Sequence, residues 1–245
     1  MYDKPVSMYD KPVSMIKFKN IINLKPFDWF LIGGVITCTV IYSLLTSSAD
    51  FIGITAAVSG VVCVVLVARG NIFNYLFGLI NVTLYAWISY KADLYGDALL
   101  NALYYLPMQF VGWFMWVKRR EEKDSVTVTS KRMNMQQRLL LLTGSTAAVI
   151  LTGFVLRYAG DPQPFKDAAT NVLSVIAMFL MVRTYMEQWP LWAAVNVISV
   201  IMWILAWTSG EEHSLLMVVM WVFYLINSLK GWYLWHRSSL VQTTT

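Results

Sequence analysis

Three residues in the C-terminal half of the chain have the types and spacing needed to bind a flat aromatic ligand. They are Trp189, Trp192 and Asn196, which stand at positions i, i+3 and i+7. On a helix this spacing places all three side chains on one face. The indole rings would offer stacking surfaces, and the amide would offer a hydrogen-bond donor and an acceptor. The pattern predicts a site for an aromatic ligand that carries hydroxyl or carboxamide groups.

Further amide and aromatic residues at helical spacing could complete this site. They are Asn81, Tyr85, Gln109, Trp221, Tyr224 and Asn227. Two other roles fit the same residue types: Asn and Gln within membrane spans also hydrogen-bond neighbouring helices, and Trp189, at the start of a span, fits an anchor at the membrane surface. The ligand site is favoured because amides and aromatics cluster on corresponding helices of two internal repeats.

The sequence lacks the groups that ion-coupled pumps and enzymes use. No carboxylate, histidine or basic residue lies securely in the middle of an apolar run, whereas proton relays need such groups. Lys230 stands one turn from the end of the last run, and we expect it to snorkel towards water without a carboxylate partner. Cys38 and Cys63 lack C-x-x-C spacing, and there is no phosphate-binding loop. We therefore expect no catalytic residue, no metal, no cofactor and no ATP-driven step.

The composition places these residues in a membrane. Of the 245 residues, 58% are hydrophobic and 13% are charged, whereas an ordinary soluble domain carries about 25% charged residues. A transmembrane helix needs about 20 apolar residues. Eight such runs are found, at 27–46, 51–68, 72–90, 94–117, 139–158, 165–182, 189–207 and 214–235. The sequence predicts an all-α integral membrane protein with eight transmembrane helices.

The distribution of charge predicts how the chain is oriented. If the N-terminus is cytoplasmic, all of the 19 Lys and Arg residues except Lys91, Arg157 and Lys166 lie on the cytoplasmic side. Because positive residues favour that side, we expect a multi-pass protein with both termini in the cytoplasm. This orientation explains the net charge of +5, so the charge indicates no nucleic-acid partner.

An internal repeat is visible at the ends of the fourth and eighth spans. Residues 105–116 and 224–235 share the pattern YLxxxxxGWxxW. The alignment extends upstream and pairs Asn74, Phe77 and Asn81 with Trp189, Trp192 and Asn196. Both units begin outside and end inside under the charge assignment, so they are parallel three-helix repeats, and the fifth span supplies the crossing between them. We expect the pattern's tryptophans to belong to the aromatic belt at the membrane surface, namely Trp113, Trp116, Trp232 and Trp235.

These patterns divide the chain into seven segments. They are a cytoplasmic tail 1–26, an extra helix 27–47, the first repeat 51–118, a basic cytoplasmic loop 119–138, the linker helix 139–158, the second repeat 165–236 and a cytoplasmic tail 237–245. The predicted architecture is therefore 3+1+3 helices plus one N-terminal helix. Residues 1–7 are repeated as 8–14, and this duplication is left out of the fold prediction.

Three features of the chain resemble the PnuC family of bacterial nicotinamide riboside transporters. They are the WxxWxxxN motif of the seventh span, the end of the eighth span with Tyr224, Asn227 and Gly231, and the eight-span layout. The resemblance runs from residue 51 to residue 235. It implies a full-length SWEET-like vitamin transporter in the bacterial inner membrane, which works by facilitated diffusion while a cytoplasmic kinase traps the substrate for NAD biosynthesis. It implies ligand stacking in the second repeat only, because the first has Asn74 and Phe77 where the second has Trp. The sequence leaves homo-oligomer formation open.

The implied substrate agrees with the residues of the candidate site. Nicotinamide riboside is a flat pyridinium cation with a carboxamide and a ribose, so it requires aromatic faces and amide hydrogen bonds. Cation-π attraction contributes about 2 kcal/mol in a desolvated site. Thiamine and other vitamins make similar demands and remain an alternative. A membrane enzyme or photoreceptor is less favoured, since it would need a buried acid pair, a metal cluster or a lysine in the middle of a span.

Overall fold

The structure is a computed structural model that describes residues 24–46, 51–91, 98–120, 125–160, 163–208 and 214–241. The duplicated N-terminal segment lies outside these residues. The described part is helical, and its helices are α1 (Pro26–Thr46), α2 (Phe51–Ala68), α3 (Asn74–Lys91), α4 (Leu106–Lys118), α5 (Met135–Tyr158), α6 (Pro164–Val182), α7 (Gln188–Thr208) and α8 (Ser214–Val241). A π-helical segment, Leu100–Tyr105, continues directly into α4. The prediction of an all-α protein with eight helices is confirmed for the described residues.

Apolar length and polar content divide the helices into two groups. Among the described residues, α1, α2, α5 and α6 are long and apolar enough to cross a membrane by length and composition alone. The other four helices contain the predicted amide residues Asn81, Gln109, Asn196 and Asn227. Polar side chains lower the hydropathy of a helix and are tolerated in a membrane where other helices cover them. This division concentrates the candidate chemistry in α3, α4, α7 and α8.

The C-termini of the even-numbered helices and the N-termini of the odd-numbered helices lie on the same side of the bundle. We call this side the basic end of the bundle, because it carries Arg69, Arg119, Arg183 and Lys230. Helix α5 also begins at the basic end, at Met135. Asn134 caps it, since its side chain accepts from the backbone N–H of Gln137 while the Gln137 side chain accepts from the N–H of Asn134. Such a reciprocal cap satisfies two backbone donors that a helix start otherwise leaves free.

Two turns of the same conformation connect α2 to α3 and α6 to α7. Gly70 has φ +65° and Thr184 has φ +62°, and each turn repeats the same backbone hydrogen bonds, such as the N–H of Asn74 to the oxygen of Asn71 and the N–H of Gln188 to the oxygen of Tyr185. In this register Tyr75 corresponds to Trp189. The sequence alignment that paired Asn74 with Trp189 is therefore one residue out, because the turn geometry fixes where each helix begins.

Two tryptophans expected in the aromatic belt are core residues instead. The side chains of Trp116 and Trp235 are buried, with 0% and 4% of their surface exposed. Nε1 of Trp116 donates to the backbone oxygen of Met181, and Nε1 of Trp235 donates to the backbone oxygen of Val67. The belt prediction is wrong for these two because each indole N–H finds a backbone acceptor on a neighbouring helix. Trp232 is 40% exposed, as a belt residue would be.

Lys230 has a carboxylate partner, contrary to the expectation from sequence. Its Nζ forms an ion pair with Asp28 of α1, and Arg69 pairs with the same carboxylate at 2.5 Å. The Asp28 side chain is fully buried, and Nζ of Lys230 also lies 4.3 Å from the centre of the Phe27 ring. The prediction failed because Asp28 and Lys230 lie far apart in the sequence, and only the packing of α1 against α2 and α8 brings them together.

Candidate functional site

Asn196 and Ser228 join α7 to α8 through a buried polar contact. Nδ2 of Asn196 lies 2.8 Å from Oγ of Ser228, and each side chain is 4% exposed. Asn196 is seven positions after Trp189, so helical geometry places both on the same face of α7. The contact shows that this amide links two helices, which is one of the two roles that the sequence left open.

Asn227 and Gln109 each direct the amide NH2 group to a backbone carbonyl. Nδ2 of Asn227 donates to the oxygen of Val64 in α2 at 2.9 Å. Nε2 of Gln109 donates to the oxygen of Tyr105, one turn earlier in the chain, at 3.1 Å. The carbonyl oxygens of both side chains are buried and have no hydrogen-bond partner among the described residues. A buried acceptor left in this state costs about 1 to 3 kcal/mol, so each is a candidate ligand contact.

The amide side chains of Gln109 and Asn227 lie near the same turn of α2. A Cβ atom placed on Gly78 would lie 2.3 Å from Oε1 of Gln109 and 3.2 Å from Sγ of Cys63. Asn227 bonds to Val64, the residue that follows Cys63. Gln109 and Asn227 therefore approach neighbouring residues of α2 from α4 and α8.

Asn81 and Tyr224 meet at Gly60, about one turn earlier in α2. Nδ2 of Asn81 donates to the backbone oxygen of Ala56 at 2.8 Å. A Cβ atom placed on Gly60 would lie 2.7 Å from that nitrogen and 2.8 Å from the hydroxyl oxygen of Tyr224. The ring of Trp221 packs edge to face on Tyr224, with centroids 5.6 Å apart. The glycine thus lets polar side chains of α3 and α8 approach the α2 backbone together.

The two tryptophans of the WxxWxxxN motif differ in their surroundings. Trp189 is 2% exposed, packs closely on Gly231 and makes an edge-to-face contact with Trp235 at 5.9 Å. Its Nε1 has no hydrogen-bond partner among the described residues. Trp192 is partly buried and packs against the edge of the same core cluster. Trp189 is therefore a buried core side chain rather than a surface anchor in this conformation.

The remaining predicted residue, Tyr85, is 40% exposed on α3. The other predicted residues thus fall into three groups. Gln109 and Asn227 lie at one turn of α2, and Asn81, Tyr224 and Trp221 lie at the preceding turn. The third group is the α7 motif, whose tryptophans lie towards the basic end. Two cavities among the described residues, of about 220 and 210 Å³, lie at the basic end around Arg69 and Thr127. Neither is lined by a predicted binding residue.

Two buried polar residues next to the candidate site were not predicted from the sequence. Ser228 takes the position of Gln109 when the two YLxxxxxGWxxW patterns are aligned, so the repeat itself could have identified it. Gln188 is fully buried beside Trp189, and neither the nitrogen nor the oxygen of its side-chain amide has a hydrogen-bond partner among the described residues. No sequence signal distinguishes Gln188 from an ordinary polar residue at a helix start. Within the described ranges, no group of three or more His, Cys, Asp or Glu residues could hold a metal ion.

Comparison with known proteins shows a consistent set of similarities. Residues 50–237 match the sequence model of the family described as nicotinamide mononucleotide transporter. The chain is 42% identical over 185 residues to the nicotinamide riboside transporter PnuC of Neisseria mucosa, which covers 74% of this chain and 70% of that protein. It is 30% identical over 216 residues to the transporter of the same name from Haemophilus influenzae, covering 87% of this chain and 91% of that protein.

A solved structure agrees with these sequence matches. The crystal structure of the vitamin B3 transporter PnuC superimposes with a TM-score of 0.78 and 34% sequence identity, over 93% of this chain and 98% of the other. The matched proteins are transporters, which confirms the expectation that this chain is not an enzyme.

Proposed function

This chain belongs to the PnuC family of membrane transporters, and we propose that it takes up nicotinamide riboside, a precursor of NAD. The observation that supports this choice of substrate is the 42% identity to a nicotinamide riboside transporter. The chemistry of the candidate site supports it, since amide and indole groups suit a flat cation with hydroxyl and carboxamide groups. The bilayer is the second partner, as expected for the apolar helices of this chain.

In this proposal the α7 motif holds the pyridinium ring, and amides from several helices bind its polar edge. Trp189 and Trp192 stack on the ring while Asn196 lies beside it. Gln109 and Asn227 contribute from α4 and α8, and Asn81, Tyr85, Trp221 and Tyr224 complete the walls of the site. Trp189 is covered by Gly231 and Trp235 in this conformation, so stacking on it requires α8 to move away from α7.

Alternating access then follows from two parallel three-helix repeats, α2 to α4 and α6 to α8, with α5 as the linker and α1 as an addition. The matching turns at Gly70 and Thr184 support this division. Reciprocal hydrogen bonds support it further: Trp116 donates to α6, and Trp235 donates to α2. Rocking one unit against the other would break both bonds and open the basic end.

The remaining parts of the proposal concern energetics and location. Transport runs down the substrate gradient without ion coupling, because the sequence places no titratable group securely at mid-depth, and a cytoplasmic kinase traps the product. The protein lies in the bacterial inner membrane with the basic end and both termini in the cytoplasm. A homo-oligomer is compatible with the exposed apolar face of α5, on which Leu140, Leu151 and Val155 are more than 60% exposed.

Uptake into liposomes tests the function. Vesicles that contain only this protein should equilibrate radiolabelled nicotinamide riboside and should not accumulate it, with or without an imposed proton or sodium gradient. Thiamine serves as the competing substrate. Equilibration of thiamine in place of nicotinamide riboside would reassign the substrate, and gradient-driven accumulation would refute uncoupled transport.

A further inference from the structure

We propose that residues 125–131 form a strap across the basic end, and that the hydrogen bonds of this strap to the α6–α7 turn must break each time the basic end opens. The inference rests on the proposed transport by two rocking repeats and names a contact that controls the movement. The strap follows α4 of the first repeat and precedes α5. Its backbone bonds to both of the turns that contain Gly70 and Thr184.

The first half of the strap pairs with the turn of its own repeat. The N–H of Ile72 donates to the oxygen of Val126 at 2.9 Å, and the N–H of Val128 donates to the oxygen of Gly70 at 3.0 Å. The side chains of Val126 and Val128 are 8% and 6% exposed and belong to the hydrophobic core cluster at the basic end. These contacts join two parts of the first repeat, so rocking of whole repeats leaves them intact.

The second half of the strap pairs with the turn of the other repeat. The N–H of Lys131 donates to the oxygen of Thr184 at 2.7 Å, and the oxygen of Lys131 accepts from the N–H of Met186 at 2.9 Å. Oγ of Ser130 also donates to the backbone oxygen of Trp235 in α8, at 2.9 Å. Because Lys131 is exposed, water can replace its backbone bonds when they break, and the net cost of such an exchange is small. This half is therefore the one that releases.

The chain between the two halves is too short to let the turns separate. Only Thr129 and Ser130 lie between Val128 and Lys131. Three steps from one Cα to the next cover at most about 11 Å when the chain is fully extended. While both halves stay bonded, the two turns cannot move further apart than this tether permits.

Release of Ser130 and Lys131 lengthens the tether while the strap stays attached. In the described chain, the next hydrogen bond to the second repeat runs from the N–H of Met133 to Oε1 of Glu187, at 3.1 Å. The five steps from Val128 to Met133 cover at most about 18 Å. The repeats can then separate further at the basic end and remain joined. The bridge from Lys131 to the α6–α7 turn thus decides whether this end is held closed or is free to open.

Disulfide cross-linking of the full chain in liposomes tests the proposal. Lys131 and Tyr185 form a parallel bridge pair, and paired strands lie about 4.8 Å apart, which is within the range that a disulfide spans. Oxidation of the double variant Lys131→Cys, Tyr185→Cys fixes the strap to the second repeat. Uptake of radiolabelled nicotinamide riboside should then fall to the level of empty liposomes, and a reductant should restore it. The reduced form of each variant is its own reference, so any cost of the substitutions cancels.

A second cysteine pair fixes the strap to its own repeat and is the matched control. Asn71 and Thr127 face each other as an antiparallel pair between the two bonds of the first half, where Cα atoms lie about 4.5 Å apart. The oxidised double variant Asn71→Cys, Thr127→Cys should take up substrate at the rate of its reduced form. Unaltered protein receives the same oxidation, because it contains the free thiols of Cys38 and Cys63.

An insertion separates the length of the tether from other effects of the cross-link. Four residues, glycine and serine in alternation, inserted between Thr129 and Ser130 add at most about 14 Å of reach. Exposed polar loops generally tolerate such insertions. The oxidised Lys131→Cys, Tyr185→Cys protein should regain uptake when it carries the insertion, since its repeats can then separate with the disulfide in place.

The outcomes separate this inference from the proposed function. If the oxidised Lys131→Cys, Tyr185→Cys protein takes up substrate as fast as its reduced form, the strap need not release, and the inference is wrong while the transport function stands. If the control disulfide also stops uptake, or the insertion restores none, the bridge at Lys131 is not the contact that limits opening. If unaltered protein takes up no nicotinamide riboside, the proposed function fails and the inference falls with it.

Discussion

The indole rings of Trp116 and Trp235 lie against each other at the basic end, with centroids 5.9 Å apart and planes at 46°. Each N–H crosses to another helix: Trp116 donates to Met181 at 3.0 Å and Trp235 donates to Val67 at 3.2 Å. The aromatic pair therefore holds the ends of α2, α4, α6 and α8 together. Any opening of the bundle at this end must separate these contacts.

Replacing these tryptophans by phenylalanine should destabilise the closed bundle. Trp116→Phe and Trp235→Phe keep an aromatic ring but lose one buried hydrogen bond, at about 0.5 to 1.5 kcal/mol each. The backbone oxygens of Met181 and Val67 keep a second partner, the N–H of Thr184 and of Gly70 respectively. Thermal unfolding in detergent should show a lower Tm for both. Trp232→Phe is the control, since Trp232 is 40% exposed. An equal loss in the control would mean that the crossed hydrogen bonds are not the cause.

Neutralising Asp28 should release α1 from the bundle. Asp28→Asn leaves Arg69 and Lys230, which are 19% and 16% exposed, without their shared carboxylate. Breaking a buried ion pair from one side costs about 3 to 5 kcal/mol, which thermal unfolding should reveal.

Asp167→Asn is the control for Asp28→Asn, because it makes the same change at a partly solvent-exposed ion pair. Lys166 and Asp167 are 3.6 Å apart, and their side chains are 26% and 35% exposed, so this change should alter stability by at most about 1 kcal/mol. Similar losses in Asp28→Asn and Asp167→Asn would refute a structural role for the buried cluster.

Substitutions at Gly70 and Thr184, which occupy equivalent positions in the two turns, should change the stability of the protein by different amounts. Gly70→Ala adds a Cβ at φ +65° and 3.0 Å from the backbone oxygen of Val128, and this should cost roughly 1 to 2 kcal/mol. Thr184→Gly relieves the same backbone strain but loses the contact of Thr184 Oγ1 with Arg119 at 3.1 Å, so it should be close to neutral. Chemical denaturation can compare the two, and a larger loss for Thr184→Gly would contradict the strain argument.

Removing the partly buried indole of the α7 motif should weaken substrate binding. Trp192→Ala deletes one stacking platform and is expected to reduce the binding free energy for nicotinamide riboside by about 1 to 3 kcal/mol. Calorimetry on correctly folded protein measures it, with Trp232→Ala as a control outside the predicted site. Unchanged affinity in Trp192→Ala would place the stacking surface elsewhere.

Much of the helical layout was predictable from apolar length. The predicted runs 51–68 and 165–182 correspond to helices Phe51–Ala68 and Pro164–Val182, because a chain in a bilayer must satisfy its backbone hydrogen bonds within each segment. The grouping of Trp189, Trp192 and Asn196 on one helical face was also predictable, since it follows from their spacing alone. These features depend on local sequence, and local sequence determined them.

Other properties depend on which helices face each other, and only the tertiary structure decided those. The sequence offered no reason to pair Lys230 with Asp28 or to bury Trp116, because the partners are distant in the chain. The same holds for the amide of Asn227. Its residue type allows either end of the amide to face a neighbour, and only the packing of α8 against α2 brings the backbone oxygen of Val64 to its NH2 group.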